Sequence, residues 1–430
     1  MQRARRGPSI RSNGKAMRYR CAFLVVVAAS LAAHAEGEDW PQFRGPTGQG
    51  LSKARDLPVS WSNTENVAWK TPIPGKGWSS PIVYKDHVYL TTAVKGTRTP
   101  LSLRALCLRE DTGNIVGNVE AFSSNAPTIQ QKNSHASPTP LIEGGRLFVD
   151  YGHHAVGCID LQGNRVWRNM SLRYDPVHGS GGSPVLTETA LIVSIDGAKQ
   201  TYVVALDRAT GQPLWRTDRR SRAVKKFSFC TPLVIEVDGQ QQVICPGSDS
   251  VIALDARNGK EIWRARYKGY SVIPRPVYGN GLVFVCTGYD RPKLIAIRPT
   301  GKGDVTRTHI AWGTSKGVPH TPSPLLVDDA LYMVSDRGVA SCLDAKTGTE
   351  HWRQRIGGNH SASPVHADGR IYFQSEEGVG TVIRAAKTFE RLGQNDVGER
   401  TLASFAIANN SIYLRTEQFL YRIQRQTANR

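Results

Sequence analysis

Short apolar runs, separated by pairs of turn-forming residues, follow one another along most of the chain. The runs are too short for helices and lack a 3.6-residue period, which excludes a helical solenoid. Pairs such as Gly144-Gly145, Asp238-Gly239 and Asn280-Gly281 tolerate positive φ and close two-residue hairpins. The pattern therefore predicts many short β-strands joined by tight turns. One turn, Thr187-Glu188-Thr189, departs from this pattern.

The strands are organised in a repeat of about 48 residues. Tryptophans spaced 48, 48, 49 and 40 residues apart mark it: Trp167, Trp215, Trp263, Trp312 and Trp352. A proline precedes the first strand of a unit at Pro81, Pro138, Pro184, Pro232, Pro276, Pro324 and Pro364. Two strands follow as a hairpin, a third ends in Leu-Asp or a variant, and a fourth carries the tryptophan. Four such strands in eight units predict an all-β, eight-bladed β-propeller with four-stranded antiparallel blades.

The two ends of the repeat region are expected to meet in one blade. The eighth unit has three strands, and Val67–Lys70 is a fourth strand with no unit before it. Pairing them would close the ring and remove open sheet edges. We expect an N-terminal extension and signal peptide over residues 1–35, a segment that packs on the propeller over 36–66, and the propeller over 67–425.

The N-terminus has the order of a secretory signal. Arg18 and Arg20 precede the apolar run Cys21–Ala33, and an Ala-x-Ala site ends at Ala35. The apolar run has 13 residues, too short for a membrane span, which needs about 18 to 20. We expect cleavage near Ala35 and an exported protein, periplasmic or secreted. A twin-arginine signal at Arg5-Arg6 and an uncleaved membrane anchor stay open as alternatives.

Composition and charge narrow the function classes. The chain has 430 residues, 40% of them apolar, and a net charge of +19. Removal of the first 35 residues, with seven basic and no acidic side chains, lowers the charge to +12. This charge permits contact with anionic polymers or membrane surfaces. It does not require nucleic acid, which we do not expect as a partner of an exported monomer.

The cysteines indicate packing instead of chemistry. Cys107, Cys158 and Cys342 share one repeat position, which is alanine in other units. A position that alternates between cysteine and alanine calls for a small buried side chain. No Cys-x-x-Cys pair is present, so neither covalent haem nor a zinc site is predicted.

One face of the predicted propeller gathers imidazoles and carboxylates. In an antiparallel blade, the loops before the first strand and after the second strand lie at the same end. These loops contain His135, His178, His320, His360, Asp196, Asp249, Asp290, Asp336, Glu376 and Glu377. Such side chains suit a polar ligand, a divalent metal or acid–base chemistry. Ordinary solvated loops have the same composition, so that interpretation stays open, and no metal site is assigned.

A basic stretch lies on the same face, between the third and fourth blades. It consists of Arg216, Arg219, Arg220, Arg222, Lys225 and Lys226. These side chains are candidates for binding a phosphate, a sulfated glycan or an anionic headgroup. A merely solvated loop is the alternative.

The segment Ala205–Trp215 resembles the tryptophan-docking repeat of pyrroloquinoline quinone (PQQ) propellers, and Val251–Trp263 and Ala340–Trp352 repeat it. The resemblance extends from about Trp40 to Ile423. The segment Trp40–Pro46 is similar to the opening of exported bacterial PQQ-like repeat proteins. Asn359–Pro364 and Ser375–Gly378 resemble further elements of that group. The resemblance implies a cofactor-free relative of the outer-membrane assembly factor BamB or a relative of the quinoprotein alcohol dehydrogenases.

These branches imply different functions. Dehydrogenases of the second branch typically place a disulfide of adjacent cysteines beside the quinone, and this sequence has no adjacent cysteines. The expectation is therefore a non-catalytic binding or assembly scaffold of the cell envelope, whose partner is an envelope protein, a polar or anionic small ligand, or a glycan. The alternative is a quinoprotein-type or metal-dependent oxidoreductase acting on an alcohol or sugar, with PQQ and Ca²⁺. Another enzyme, such as a hydrolase, also remains open, and no catalytic residue is assigned.

Overall fold

The computed structural model describes residues 38–96, 100–125 and 127–426, which form 33 strands in eight sheets. The first strand is β1 (Val67–Pro72). Blade 1 comprises β2 (Ile82–Tyr84), β3 (His87–Val94), β4 (Leu101–Arg109) and β5 (Ile115–Ser124). Blade 2 comprises β6 (Leu141–Glu143), β7 (Arg146–Asp150), β8 (Val156–Asp160) and β9 (Arg165–Asn169). Blade 3 comprises β10 (Val185–Leu186), β11 (Ala190–Asp196), β12 (Thr201–Asp207) and β13 (Pro213–Asp218). Blade 4 comprises β14 (Leu233–Val237), β15 (Gln240–Gly247), β16 (Ser250–Asp255) and β17 (Glu261–Arg266).

The remaining blades follow the same order. Blade 5 comprises β18 (Val277–Gly279), β19 (Leu282–Cys286), β20 (Leu294–Ile297) and β22 (Ile310–Thr314), and β21 (Gly303–Asp304) lies between the last two in the chain. Blade 6 comprises β23 (Leu325–Val327), β24 (Ala330–Val334), β25 (Val339–Asp344) and β26 (Glu350–Arg355). Blade 7 comprises β27 (Val365–Ala367), β28 (Arg370–Gln374), β29 (Val379–Arg384) and β30 (Arg391–Asp396). Blade 8 comprises β31 (Ala406–Ala408), β32 (Ser411–Arg415) and β33 (Phe419–Gln424), together with β1.

The ring closes as the sequence predicts. Strand β1 pairs antiparallel with β33, with Thr71 opposite Leu420 and Lys70 opposite Tyr421. The innermost strands β2 and β31 of blades 1 and 8 are in contact. The eight-bladed, all-β architecture is therefore confirmed. No helix in the described ranges is long and apolar enough to cross a bilayer. The predicted signal peptide lies outside the described residues.

Tryptophans join five of the eight blades to the next blade. The indole nitrogen of Trp167 donates to the carbonyl of Arg208 at 3.0 Å, and that of Trp215 donates to the carbonyl of Ala256 at 3.3 Å. The turn glycine of the following blade lies against each indole, so that a Cβ on Gly211 would come within 2.4 Å of Trp167. Trp263 differs, since its indole donates to Gln242 of its own blade at 2.9 Å.

A circle of hydroxyl groups lines the inner ends of the blades. The N–H of the residue before the first-strand proline donates to the hydroxyl of the equivalent residue in the next blade. Six such bonds of 2.9 to 3.0 Å link Ser80 to Thr139, Thr139 to Ser183, Ser183 to Thr231, Arg275 to Ser323, Ser323 to Ser363, and Ser363 to Ser404. Each satisfies a buried donor at a sheet edge. The circle also corrects one prediction, in which Pro138 was the proline before the first strand of its unit. That repeat position is instead occupied by Pro140, which follows Thr139 and precedes β6.

Residues 40–52, the plug, lie across one end of the channel. The backbone of Trp40 exchanges two hydrogen bonds with Val83 of blade 1, at 2.8 and 2.9 Å. The N–H of Ser52 donates to His366 of blade 7 at 2.9 Å, and its hydroxyl donates to Ile407 of blade 8. Arg44 is buried and donates to Pro324 of blade 6 at 2.8 Å. The plug therefore ties together innermost strands from separate blades.

Candidate functional site

The opposite end of the channel, the mouth face, carries the loops before the first strands and after the second strands. Five of the sequence-predicted residues form one cluster there. The backbone N–H of His320 donates to Asp336 at 2.7 Å, and that of His360 donates to the carbonyl of Asp336 at 2.9 Å. Glu376 and Glu377 follow on blade 7, where Glu377 accepts a hydrogen bond from the side chain of Asn359 at 2.9 Å.

The electrostatics of this cluster are uneven. Burial lowers the pKa of His360 to about 4, although three neighbouring carboxylates oppose the shift, and its Nδ1 has no hydrogen-bond partner among the described residues. Burial acts to raise the pKa of Asp336, but hydrogen bonds from His320 outweigh it and lower the pKa. At neutral pH the cluster therefore combines a neutral imidazole with anionic carboxylates.

A segment from the blade 1 to blade 2 connection crosses this end. We call residues 127–134 the strap. The N–H of Gln130 donates to the carbonyl of His178 in blade 3 at 3.2 Å, and the Nζ of Lys132 lies 2.8 Å from Glu376 in blade 7. Blades 3 and 7 are opposite each other in an eight-membered ring. The strap therefore spans the mouth, and Lys132 neutralises one carboxylate of the cluster.

His135 belongs to a second group, with two histidines that the sequence analysis did not single out. Its Nδ1 lies 3.1 Å from Nε2 of His154, and the rings of His153 and His154 have centroids 3.8 Å apart. Burial lowers the pKa of His153 to about 4 and that of His154 to about 3. These two histidines, with Arg173 and Tyr174, line a cavity of about 590 Å³.

The other predicted carboxylates lie apart. Asp196 is buried, and its Oδ1 lies 2.6 Å from Nε of Arg219. Asp249 accepts a hydrogen bond from the hydroxyl of Ser250 at 3.0 Å, and Asp290 lies in an exposed loop with positive φ. His178 also lies apart, with its ring centroid 5.1 Å from that of Phe227. The structure therefore divides the predicted set into two clusters and four separate positions.

The basic stretch is also divided. Arg219 is buried against Asp196, Arg216 lies 3.2 Å from Asp218, and Arg220 lies 3.1 Å from Glu261. Arg222, Lys225 and Lys226 form no ion pair with any described residue. Lys225 instead donates to the hydroxyl of Tyr270 at 3.0 Å and lies over its ring. Three of the six predicted side chains thus keep a cation available to a partner.

Further polar groups are buried at the ends of the second strands, beneath the mouth face. Arg415 at the end of β32 is only 2% exposed, and its Nη1 donates to the hydroxyl of Ser79 and the carbonyl of Thr91, both at 2.7 Å. Burial lowers its pKa to about 9, which the nearby Tyr151 opposes. The hydroxyl of Tyr151 is buried without a partner among the described residues. Burial raises the pKa of the adjacent Asp150 to about 7.

Sequence patterns could have identified some of these residues before the structure was known. Gly152-His153-His154 occupies the same loop position as the predicted aspartates, after the second strand of its blade. A Ser-Pro or Thr-Pro pair opens most units and marks the hydroxyl circle. Nothing local marks Lys132 or Arg415, because their partners lie 244 and 336 residues away in the chain.

The residues present do not fit a calcium-bound quinone. The sequence has no adjacent cysteines, and the six described cysteines are unpaired. Nowhere in the described ranges do three or more His, Cys, Asp or Glu side chains lie so that they could hold a metal ion. The chemistry available at the mouth face is therefore that of hydrogen-bond donors, guanidinium groups and carboxylates.

Comparison with known proteins agrees with this fold. A family described as "Outer membrane protein assembly factor BamB", built of PQQ repeats, matches residues 152–302 and 306–417, more than half of the chain. The quinohemoprotein alcohol dehydrogenase ADH IIB of Pseudomonas putida is 28% identical over 198 residues. That match spans 44% of this chain and 27% of the length of the dehydrogenase.

Two solved structures share the architecture at low identity. BamB from Moraxella catarrhalis superposes with a TM-score of 0.60 at 13% identity, covering 85% of this chain and 98% of that one. Quinohemoprotein alcohol dehydrogenase from Comamonas testosteroni superposes with a TM-score of 0.64 at 12% identity, covering 91% of this chain and 82% of that one. These likenesses concern the fold alone. From the family match, this chain belongs to the PQQ-repeat propellers described as outer membrane protein assembly factor BamB.

Proposed function

We propose that this chain is an exported, non-catalytic propeller of the cell envelope that binds a small anionic ligand in its axial channel and serves as a binding scaffold. Membership of the BamB-described family supports the envelope and scaffold roles. The observation that carries the ligand class is Arg415, a buried cation that forms no ion pair with a described carboxylate.

An uncompensated buried charge is costly, because it loses its hydration without gaining a counter-charge. The hydrogen bonds of Arg415 to the described residues use only Nη1. A carboxylate, phosphate or sulfate beside the rest of the guanidinium would supply the missing charge through charge-assisted hydrogen bonds. The unpartnered hydroxyl of Tyr151 is a second donor for the same ligand.

The test measures the thermal stabilisation produced by phosphate, sulfate and citrate, each compared with chloride at equal ionic strength. A ligand that binds only the folded state raises the melting temperature by mass action. We expect at least one of the three anions to stabilise the wild type, and Arg415→Gln to abolish that effect.

Tyr151→Phe and Tyr372→Phe form a matched pair. Both hydroxyls are buried without a hydrogen-bond partner among the described residues, but Tyr372 packs beside Trp61, away from Arg415. Because neither change breaks a hydrogen bond, both variants should fold like the wild type. Tyr151→Phe should reduce the anion-induced shift and Tyr372→Phe should leave it unchanged. Equal shifts in all variants, or no shift with any anion, would contradict the proposal.

A second candidate function is a quinoprotein-type oxidoreductase acting on an alcohol or sugar. The match to the dehydrogenase of Pseudomonas putida favours it, whereas the residues present do not fit the calcium-bound quinone. Adding PQQ with Ca²⁺ to the purified protein and following dye-linked alcohol oxidation separates the two candidates. We expect no oxidation above that of free PQQ, and a clear rate would replace the scaffold proposal.

A further inference from the structure

Six aromatic rings form a continuous row on the mouth face, across blades 3 to 6. We call them the aromatic strip: His178, Phe227, Phe229, Tyr270, Tyr289 and His320. Successive ring centroids lie 5.1 Å apart from His178 to Phe227, 5.8 Å from Phe227 to Tyr270, 6.0 Å from Tyr270 to Tyr289, and 5.1 Å from Tyr289 to His320. The proposed axial ligand does not use this strip.

The strip is accessible to solvent. Tyr289 is 53% exposed, His178 is exposed, and the other four rings are half-buried. A contiguous row of rings that all reach solvent is unusual on a soluble protein surface, where apolar residues are mostly scattered, and it marks an interaction site. The strip therefore needs an explanation that packing inside this chain does not supply.

Backbone strain accompanies the exposure. Val177, Ser271 and Asp290, each next to a ring of the strip, have φ values of 55°, 54° and 74°. Left-handed backbone is unfavourable for residues with a side chain, most of all for a β-branched valine. Such strain concentrates where a loop must present particular groups. Three of the six rings are thus held in place at a conformational cost.

Charges of both signs border the rings. The ammonium of Lys225 lies 4.4 Å from the centroid of the Tyr270 ring, and Arg222 and Lys226 precede the first phenylalanine of the strip. Asp290 adjoins Tyr289, and Asp336 lies 3.3 Å from His320. A partner of this surface therefore needs three features. It needs flat faces that pack on aromatic rings, hydroxyl groups that donate to the carboxylates, and negative groups that pair with the cations.

We propose that the aromatic strip binds an acidic oligosaccharide, one with uronate or sulfate groups. The C–H faces of sugar rings pack on aromatic rings, sugar hydroxyls donate to Asp290 and Asp336, and the acidic groups pair with Lys225, Lys226 and Arg222. Single-stranded nucleic acid also uses aromatic rings and cations. Its continuous line of phosphates would, however, meet the two aspartates beside the strip, which favours the glycan.

The experiment measures fluorescence anisotropy of a labelled octagalacturonate and a labelled heparin octasaccharide with the full-length protein. We expect saturable binding of at least one, weakened by salt because screening reduces the charge term. Tyr289→Ala should weaken binding about tenfold, the scale of one aromatic contact. The exposed position of Tyr289 keeps the folding risk low, and an unchanged melting temperature checks this.

Lys225→Gln and Lys85→Gln are a matched pair of variants that each remove one positive charge. Lys225 lies over the ring of Tyr270 on the mouth face. Lys85 lies over the ring of Tyr84 in a hairpin at the other end. Only Lys225→Gln should weaken binding and reduce its salt dependence. Three results would each overturn the proposal: no binding of either glycan, affinities that Tyr289→Ala and Lys225→Gln leave unchanged, and tighter binding of an eight-residue oligothymidylate than of both glycans.

Discussion

The docking of each tryptophan on a glycine of the next blade can be tested by adding a single methyl group. Gly211 has a φ of 72°, and a Cβ there would lie 2.4 Å from Cε3 of Trp167. The indole cannot move away freely, because its nitrogen donates to the carbonyl of Arg208 at 3.0 Å. Gly211→Ala therefore forces an overlap at the junction of blades 2 and 3.

Gly281 supplies the control for backbone strain. Its φ is 73°, and a Cβ there would meet nothing within 4 Å. Gly281→Ala therefore costs only the left-handed conformation, about 1 to 2 kcal/mol. Gly211→Ala carries the same backbone cost plus overpacking of about 1 to 3 kcal/mol. The free energy of unfolding should thus fall by about 2 to 5 kcal/mol in Gly211→Ala, and the two variants should differ by about 1 to 3 kcal/mol.

Urea unfolding followed by tryptophan fluorescence and by far-UV circular dichroism measures both values. Coincidence of the two probes establishes that unfolding is cooperative enough for the comparison. If both variants lost the same free energy, the indole would have accommodated the methyl group. The tight contact between tryptophan and glycine would then not be the feature that joins the blades.

Three further predictions follow from buried and bridging groups. Burial raises the pKa of Asp150 to about 7 in the folded protein, so wild-type stability should fall as pH rises from about 4 to 7. Asp150→Asn, compared with wild type by urea unfolding, should match it near pH 3 and exceed it at pH 8, by at most about 4 kcal/mol. Lys132→Met removes the ion pair with Glu376 and should therefore speed amide hydrogen exchange in the strap. The free energy of unfolding should change by less than about 1 kcal/mol. Unchanged exchange would mean that this ion pair does not hold the strap. Burial raises the pKa of all six described thiols. Ellman's reagent should therefore react slowly with these cysteines in the native protein and at once in denaturant. Rapid reaction with the native protein would contradict the packing role of the cysteines.

The proposed anion site at Arg415 and the aromatic strip are formed by different residues. Arg415 and Tyr151 are buried, whereas Tyr289 is exposed on the mouth face. The strap pairs Lys132 with Glu376 at 2.8 Å on the mouth face. The two proposals can therefore fail independently, since Arg415→Gln should not change glycan binding and Tyr289→Ala should not change the anion-induced melting shift.

The number of blades, the strand order and the closing strand were determined by the sequence itself. These features depend on local sequence patterns. A pair of turn-forming residues determines a hairpin, and alternation of apolar and polar residues determines which face of a strand is buried. The repeat contains the same local pattern eight times. Trp167 and Trp215 therefore marked their blades correctly, and Val67–Lys70 marked the strand that closes the ring. The shift from Pro138 to Pro140 arose where two Ser/Thr-Pro pairs stand side by side.

The pairing of charges was decided only by the tertiary structure. Asp196 and Arg219 each had the pattern of a free ligand-binding group, yet they neutralise each other in a buried ion pair. Lys132 reaches Glu376 across the ring, over a separation of 244 residues. A periodic sequence specifies the blade in which a side chain lies. The partner of a charged side chain is instead the group that the closed ring brings within about 3 Å of it. The identity of that partner depends on the curvature and loops of all eight blades together.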